Sequence, residues 1–156
     1  MSERIDAAAL RDFSVSLCRA AGLSADDAAL LTDSILFAEC RGVTSHGLLR
    51  LPQYIARLRS GATASNVPMP FTMESGGTAR LDAQNGLGQL AGRKASDKAE
   101  ELAAKYGVSF VAVANSNHFG TGAWYAIPAA RRGFFAFNIS SAASAMAPHG
   151  AAQPLL

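Results

Sequence analysis

The sequence predicts an α/β fold: a helical N-terminal segment followed by a layered α/β unit with a mixed sheet. Three observations predict it. Apolar residues recur at helical spacing as far as Gly61, a stretch rich in Gly, Ser, Thr and Pro follows, and beyond it short apolar runs alternate with helical patterns. Strand, helix, strand, helix, strand is the order of a sheet with at least some parallel strands. The segments are therefore a helical one over 1–61, a seam over 62–78, and the first part of an α/β domain over 79–156.

Leu10, Phe13, Leu17 and Ala20 share a helical face and Gly22 is a natural stop, so the first helix is read over 4–21. Ser24, with Asp27 three residues on, is an N-cap signal for a second helix that carries Ala28, Leu31, Ile35 and Ala38 and ends near Gly42. Residues 43–47 connect to a third helix marked by Leu51, Tyr54, Ile55 and Leu58, with Pro52 tolerated in its first turn and Gly61 at its end. Residues 61–78 read as a loop with room for short extended pieces. A strand over 79–83, a helix over 87–106 and an apolar strand over 108–114 come next. A polar turn at 115–120, a helix over about 121–132 containing Pro128, and a strand over 134–139 complete the order.

The 156 residues are 49% hydrophobic and 17% charged with a net charge of +2, which excludes disorder, collagen and strongly charged tails. Without a Lys/Arg cluster there is no footprint for nucleic acid. The charge-poor stretches 106–130 and 133–156 are interrupted by polar and small residues, so no membrane span is expected, and residues 1–6 lack the apolar core of a secretory signal. A cytoplasmic location is expected, with Cys18 and Cys40, both inside helical patterns, as buried reduced thiols. Of the 26 charged residues, 24 lie at or before Lys105, leaving Arg131 and Arg132. Such a charge-poor segment belongs in an interior, and a parallel sheet needs cover on both faces. The chain is therefore expected to stop before its fold is complete.

Three spots can carry chemistry. In Arg41-Gly42-Val43-Thr44-Ser45-His46-Gly47-Leu48-Leu49-Arg50, a His at a helix-to-helix turn lies four residues before an Arg. Imidazole exchanges protons near neutral pH and guanidinium grips a carboxylate with two parallel hydrogen bonds, a pair suited to a 2-hydroxy or 2-keto acid. The bland alternative makes His46 a helix cap and Arg50 a surface cation. In Asn115-Ser116-Asn117-His118-Phe119-Gly120, a polar turn between a strand and a helix stands where open α/β sheets bind ligands. Alternatively Asn and Ser satisfy the turn backbone and His118 packs beneath Phe119. Met146-Ala147-Pro148-His149-Gly150 is a loop in which the histidine is most simply incidental. The three histidines lack any local ligand spacing, so no metal site is expected. Gly86-Leu87-Gly88-Gln89-Leu90-Ala91-Gly92 imitates a dinucleotide fingerprint, but its third glycine is one residue late and the next strand ends in no acidic residue, so a Rossmann reading fails.

Five ordered blocks carry a resemblance over essentially the whole chain. They are Thr32-Asp33-Ser34, the weakest of them; Arg41 to Gly47 with Arg50-Leu51-Pro52-Gln53-Tyr54; Leu81-Asp82-Ala83-Gln84-Asn85-Gly86-Leu87-Gly88-Gln89; Asn115 to Gly120; and Met146-Ala147-Pro148 with Pro154-Leu155-Leu156. Together they resemble the malate/L-lactate dehydrogenase family of the non-Rossmann type, whose members include ureidoglycolate, sulfolactate and diketogulonate dehydrogenases and a cyclic-imine reductase. The resemblance implies a homodimeric oxidoreductase that uses NAD or NADP on a small-molecule substrate, a 2-hydroxy or 2-keto acid or a related imine. It implies that His46 gives or takes the hydroxyl proton, that His118 shares the cleft as a second catalytic histidine and takes the proton role in some members, and that Arg50 orients the substrate carboxylate with Ser45 beside it. On the cofactor side it implies Asn117, Gly120, Met146 and Pro148. Family members are much longer and pair the catalytic His with an Asp that this chain lacks, so the expectation is a truncated chain. The rival reading is a catalytically inactive fragment that keeps a ligand- or dimer-binding surface.

Overall fold

The computed structural model describes residues 5–141 and 147–153. Helix α1 (Ala7–Ala20) begins on Asp6, whose carboxylate accepts the Ala9 N–H at 2.9 Å. Helix α2 (Ala25–Glu39) begins as the sequence predicts, the Ser24 hydroxyl accepting the Asp27 N–H at 3.1 Å. Two short 3₁₀ turns, Thr44–His46 and Leu48–Arg50, lead into α3 (Leu51–Arg59), which carries Pro52 in its first turn. Cys18, Leu31, Ile35, Tyr54 and Leu58 bury together, and Leu87 from the next segment joins them. Each buried Leu or Ile contributes about 1.5–3 kcal/mol.

Strands β1 (Phe71–Ser75) and β2 (Thr78–Asp82) form an antiparallel hairpin, and β3 (Phe110–Ala114) pairs with β2 in parallel, Thr78 opposite Phe110 and Asp82 opposite Ala114. The sheet is therefore mixed, in the order β1-β2-β3. Helix α4 (Gly88–Tyr106) makes the crossover. Its Ala91 and Ala95 pack on Leu81 and Ala83, because alternation along β2 turns Ala79 and Leu81 to one face.

Helix α5 (Ala123–Arg131) holds Pro128 in its interior. Proline has no N–H to give the carbonyl four residues back, and the Arg93 guanidinium supplies the donor that the Trp124 carbonyl would otherwise lack, at 3.4 Å.

β1 is a short extended piece of the kind for which the seam leaves room. Two expectations are corrected. Residues 134–139 form no strand: Phe135, Phe137 and Ile139 are 94%, 77% and 77% exposed, with no neighbouring backbone to complete a ladder among the described residues. Cys40 is exposed, because α2 ends at Glu39 and leaves it past the buried face of Ala28, Leu31, Ile35 and Ala38, whereas Cys18 is fully buried. Both thiols are free, and burial pushes that of Cys18 up. No described helix is long and apolar enough to cross a membrane.

Candidate active site

The 3₁₀ turns are anchored from behind. Glu39, the last residue of α2, accepts the Leu48 N–H at 2.8 Å, and Gly47 presses so close to it that a β-carbon there would lie 3.2 Å from the Glu39 Cα. A side chain there would crowd the α2 backbone and push aside the Glu39 carboxylate. Across this turn the Ser45 hydroxyl meets His46 Nδ1 at 3.0 Å, and Arg50 folds back, its Nε donating to the Ser45 carbonyl at 2.7 Å and an Nη to Gln53 at 3.0 Å. His46 therefore caps no helix, and Arg50 is held against its own loop rather than waving in solvent.

The second block descends from the carboxyl end of β3. Asp82 accepts from the Asn115 amide and from the Gln84 N–H, both at 2.9 Å, and these bonds hold its carboxyl below the usual carboxylate range. The Asn117 side chain donates to the carbonyls of Asn85 and Gly86 at 2.9 and 3.0 Å and accepts from Arg57 at 2.9 Å. Gly88 brings α4 against this loop, since a β-carbon there would lie 2.6 Å from the His118 carbonyl. The glycines that imitate a dinucleotide fingerprint thus serve close packing.

These anchors place His118 between the two blocks. Its ring stacks on that of His46 with centroids 5.3 Å apart, and its Nδ1 lies 2.7 Å from the Tyr54 hydroxyl. Phe119 turns away to stack on Tyr125, so His118 does not pack beneath it. Gln89, 1% exposed, donates to the same Tyr54 oxygen at 2.7 Å. Burial, then the Arg50 charge, then His46 push the His118 pKa below its ordinary value, and burial raises that of Tyr54.

In front of His118 opens a cavity of about 240 Å³, lined by Arg50, Tyr54, Arg57, Leu87, Asn117 and His118 among others. No carboxylate lines it, and neither arginine has a carboxylate partner among the described residues. A small anion can therefore balance their charge. Its volume is below the usual range of about 300–1,000 Å³ for drug-sized ligands, so it suits a small acid with at most one end of a dinucleotide.

The structure brings together Ser45, His46, Arg50, Asn117 and His118, with Gly120 at φ +81 beside Gln89. It does not bring His149, which is exposed. Pro148 is half-buried in a turn closed by the Ala151 N–H, and Met146 lies outside the described residues. No group of three potential metal ligands occurs among the described residues. Sequence reasoning missed Tyr54, Gln89, Arg57 and Glu39. The signal available for Tyr54 was its place on an apolar helix face, since a buried phenol needs a partner for its hydroxyl.

The site thus holds an imidazole pair beside two arginines that have no carboxylate partner among the described residues, in a small open cavity. A family model described as malate/L-lactate dehydrogenase matches residues 5–156, and the chain belongs to that family. It is 34% identical over 153 residues to a malate dehydrogenase of Pyrococcus abyssi, covering 98% of this chain and 42% of the relative. It is also 34% identical over 155 residues to a (2R)-3-sulfolactate dehydrogenase (NADP(+)) of Chromohalobacter salexigens, covering 99% and 46%. Among solved structures, the malate dehydrogenase of Pyrococcus horikoshii OT3 superposes with a TM-score of 0.78 at 30% identity, over 85% of this chain and 40% of that one. The chain thus spans about two fifths of the length of these relatives.

Proposed function

We propose that this chain supplies the substrate-binding half-site of an oxidoreductase that moves a hydride between NAD or NADP and a 2-hydroxy or 2-keto acid. The observation that carries this reading is the carboxylate-free cavity in which Arg50 and Arg57 flank His118. Arg50 is already oriented by Ser45 and Gln53, so a substrate carboxylate meets a fixed guanidinium and little side-chain entropy is lost on binding. His46, half-buried and stacked on His118, exchanges the hydroxyl proton with solvent. Ser45 holds the His46 Nδ1, leaving Nε2 for that exchange. A bound nicotinamide would supply or accept the hydride. Asn117 and Gly120 shape the cofactor side through the loop they hold, since the Asn117 amide is engaged on both ends, with Met146 and Pro148 in the same part of the reading. The dehydrogenase names of the relatives support a nicotinamide cofactor, and one of those names carries NADP(+). A homodimer belongs to the same reading, and sedimentation tests it.

The single tryptophan, Trp124, packs on Phe37 near α4 and offers a direct assay. Energy transfer from Trp124 to NADH or NADPH should be saturable, and adding a 2-keto acid such as oxaloacetate should tighten it. If neither reduced cofactor binds and the keto acid leaves the His118 ring signals unmoved, the reading is overturned.

A further inference from the structure

Gln89 is buried, yet its side-chain carbonyl Oε1 has no hydrogen-bond partner. Its Nε2 donates to the Tyr54 oxygen at 2.7 Å, and that oxygen lies 2.7 Å from His118 Nδ1. The orientation follows from counting donors. As placed, the amide leaves one N–H and the Oε1 acceptor unpartnered; turned the other way, it would leave both N–H bonds unpartnered, and a buried orphan N–H is rarer than an under-satisfied carbonyl. With Gln89 giving a proton to the Tyr54 oxygen, the phenol must place its own hydrogen elsewhere. Tyr54 is 4% exposed and, among the described residues, its one other hydrogen-bond partner is His118 Nδ1, which is then placed to accept. A neutral imidazole that accepts at Nδ1 carries its proton on Nε2.

We infer that Gln89 is a positioning residue that acts through Tyr54 to fix His118 as the Nε2–H tautomer, so that His118 meets a ligand oxygen as a neutral hydrogen-bond donor. This rests on the proposed function for its consequence: His118 polarises the carbonyl, and proton exchange falls to His46. A neutral imidazole has no proton to spare at neutral pH, but it can stabilise charge developing on an oxygen. The groups facing His118 agree with the neutral state. Arg50 and His46 approach from the 3₁₀ turns, Tyr54 from α3, and Arg57 lines the same cavity, with no carboxylate among the residues lining it. Burial and the Arg50 charge both disfavour the imidazolium.

The Gln89 amide is also reversible, being a donor at one end and an acceptor at the other. A carboxylate in its place can only accept. In Gln89→Glu the Tyr54 hydroxyl turns to the carboxylate and its oxygen accepts from His118, moving the ring proton to Nδ1 or charging the ring.

Imidazole nitrogen–proton correlation spectra of this chain at neutral pH test the assignment with no need of turnover. The expected result is a protonated Nε2 in the wild type, a change to protonated Nδ1 or to imidazolium in Gln89→Glu, and loss of the preference in Tyr54→Phe. A wild type protonated on Nδ1 overturns the inference, as does a folded Gln89→Glu with an unchanged ring. Should Gln89→Glu not fold, the wild-type and Tyr54→Phe spectra decide alone. A correct tautomer in a chain that binds no keto acid would defeat the functional reading and leave this one standing.

Discussion

The rings of His46 and His118 stack 26° from parallel with centroids 5.3 Å apart, one carried by the first 3₁₀ turn and the other by the loop after β3. Two imidazoles this close do not charge independently, because a cation on either one opposes a cation on the other. His46 is one of the causes that lower the His118 pKa. Replacing it with a neutral residue, as in His46→Gln, should therefore raise the His118 pKa, read by following the ring protons through a pH titration. An unmoved midpoint would show that the stack carries no electrostatic coupling.

Arg50 contributes more than charge. Its guanidinium is fixed by the Ser45 carbonyl and Gln53, which leaves the remaining N–H groups to face a ligand. Hydrogen bonds to a charged partner are each worth about 1.5–3 kcal/mol, so Arg50→Ala should weaken keto-acid binding by about 10- to 100-fold. Arg50→Lys keeps the charge and loses the fork, and should recover only part of that affinity. Calorimetric titration with oxaloacetate measures both, and equal affinity in Arg50→Lys and wild type would count against a two-bond grip.

Gly88→Ala should disturb the site from a distance. The added methyl would collide with the backbone carbonyls of Asn117 and His118, which cannot swing aside as a flexible side chain would. Overpacking of this kind costs about 1–3 kcal/mol, so the variant should melt several degrees lower and show displaced His118 signals. Normal melting with unaltered His118 signals would mean that the loop yields freely.

Stability should fall in mild acid, and the sign follows from His118. Its folded-state pKa lies below the ordinary value, chiefly through burial. As pH falls below about 6.5 the unfolded chain takes up the proton first, so stability declines until pH passes the folded value and then levels off. His118→Gln should flatten this part of the profile, as thermal melts between about pH 7 and pH 5 would show. A profile as steep as that of the wild type would assign the acid sensitivity to other groups.

The helices were legible because each one repeats a pattern. Leu31, Ile35 and Ala38 lie on one face of α2 and Ser24 caps it, so period and cap agreed. β2 was legible for the same reason, through the buried alternation of Ala79 and Leu81. β1 was not, because four of its five residues are exposed and the strand exists through its pairing with β2. The stretch around Phe135 and Phe137 misled in the opposite sense: its residues favour strands, but composition cannot supply a neighbour. In the site, His46, His118 and Arg50 could be read from residue type. Gln89 and Glu39 could not, since what they do depends on partners outside their own helices, Tyr54 and the Leu48 N–H.

The hydrogen bonds from Gln89 through Tyr54 to His118 join α4, α3 and the loop after β3, and so cross from the helical segment to the sheet. Leu87 ties the same two parts together from below. Neither part can open without pulling this chain of bonds apart, which couples opening of the cleft to separation of the two parts. Amide protons beside Tyr54 and Gln89 should then be among the slowest of the molecule to exchange.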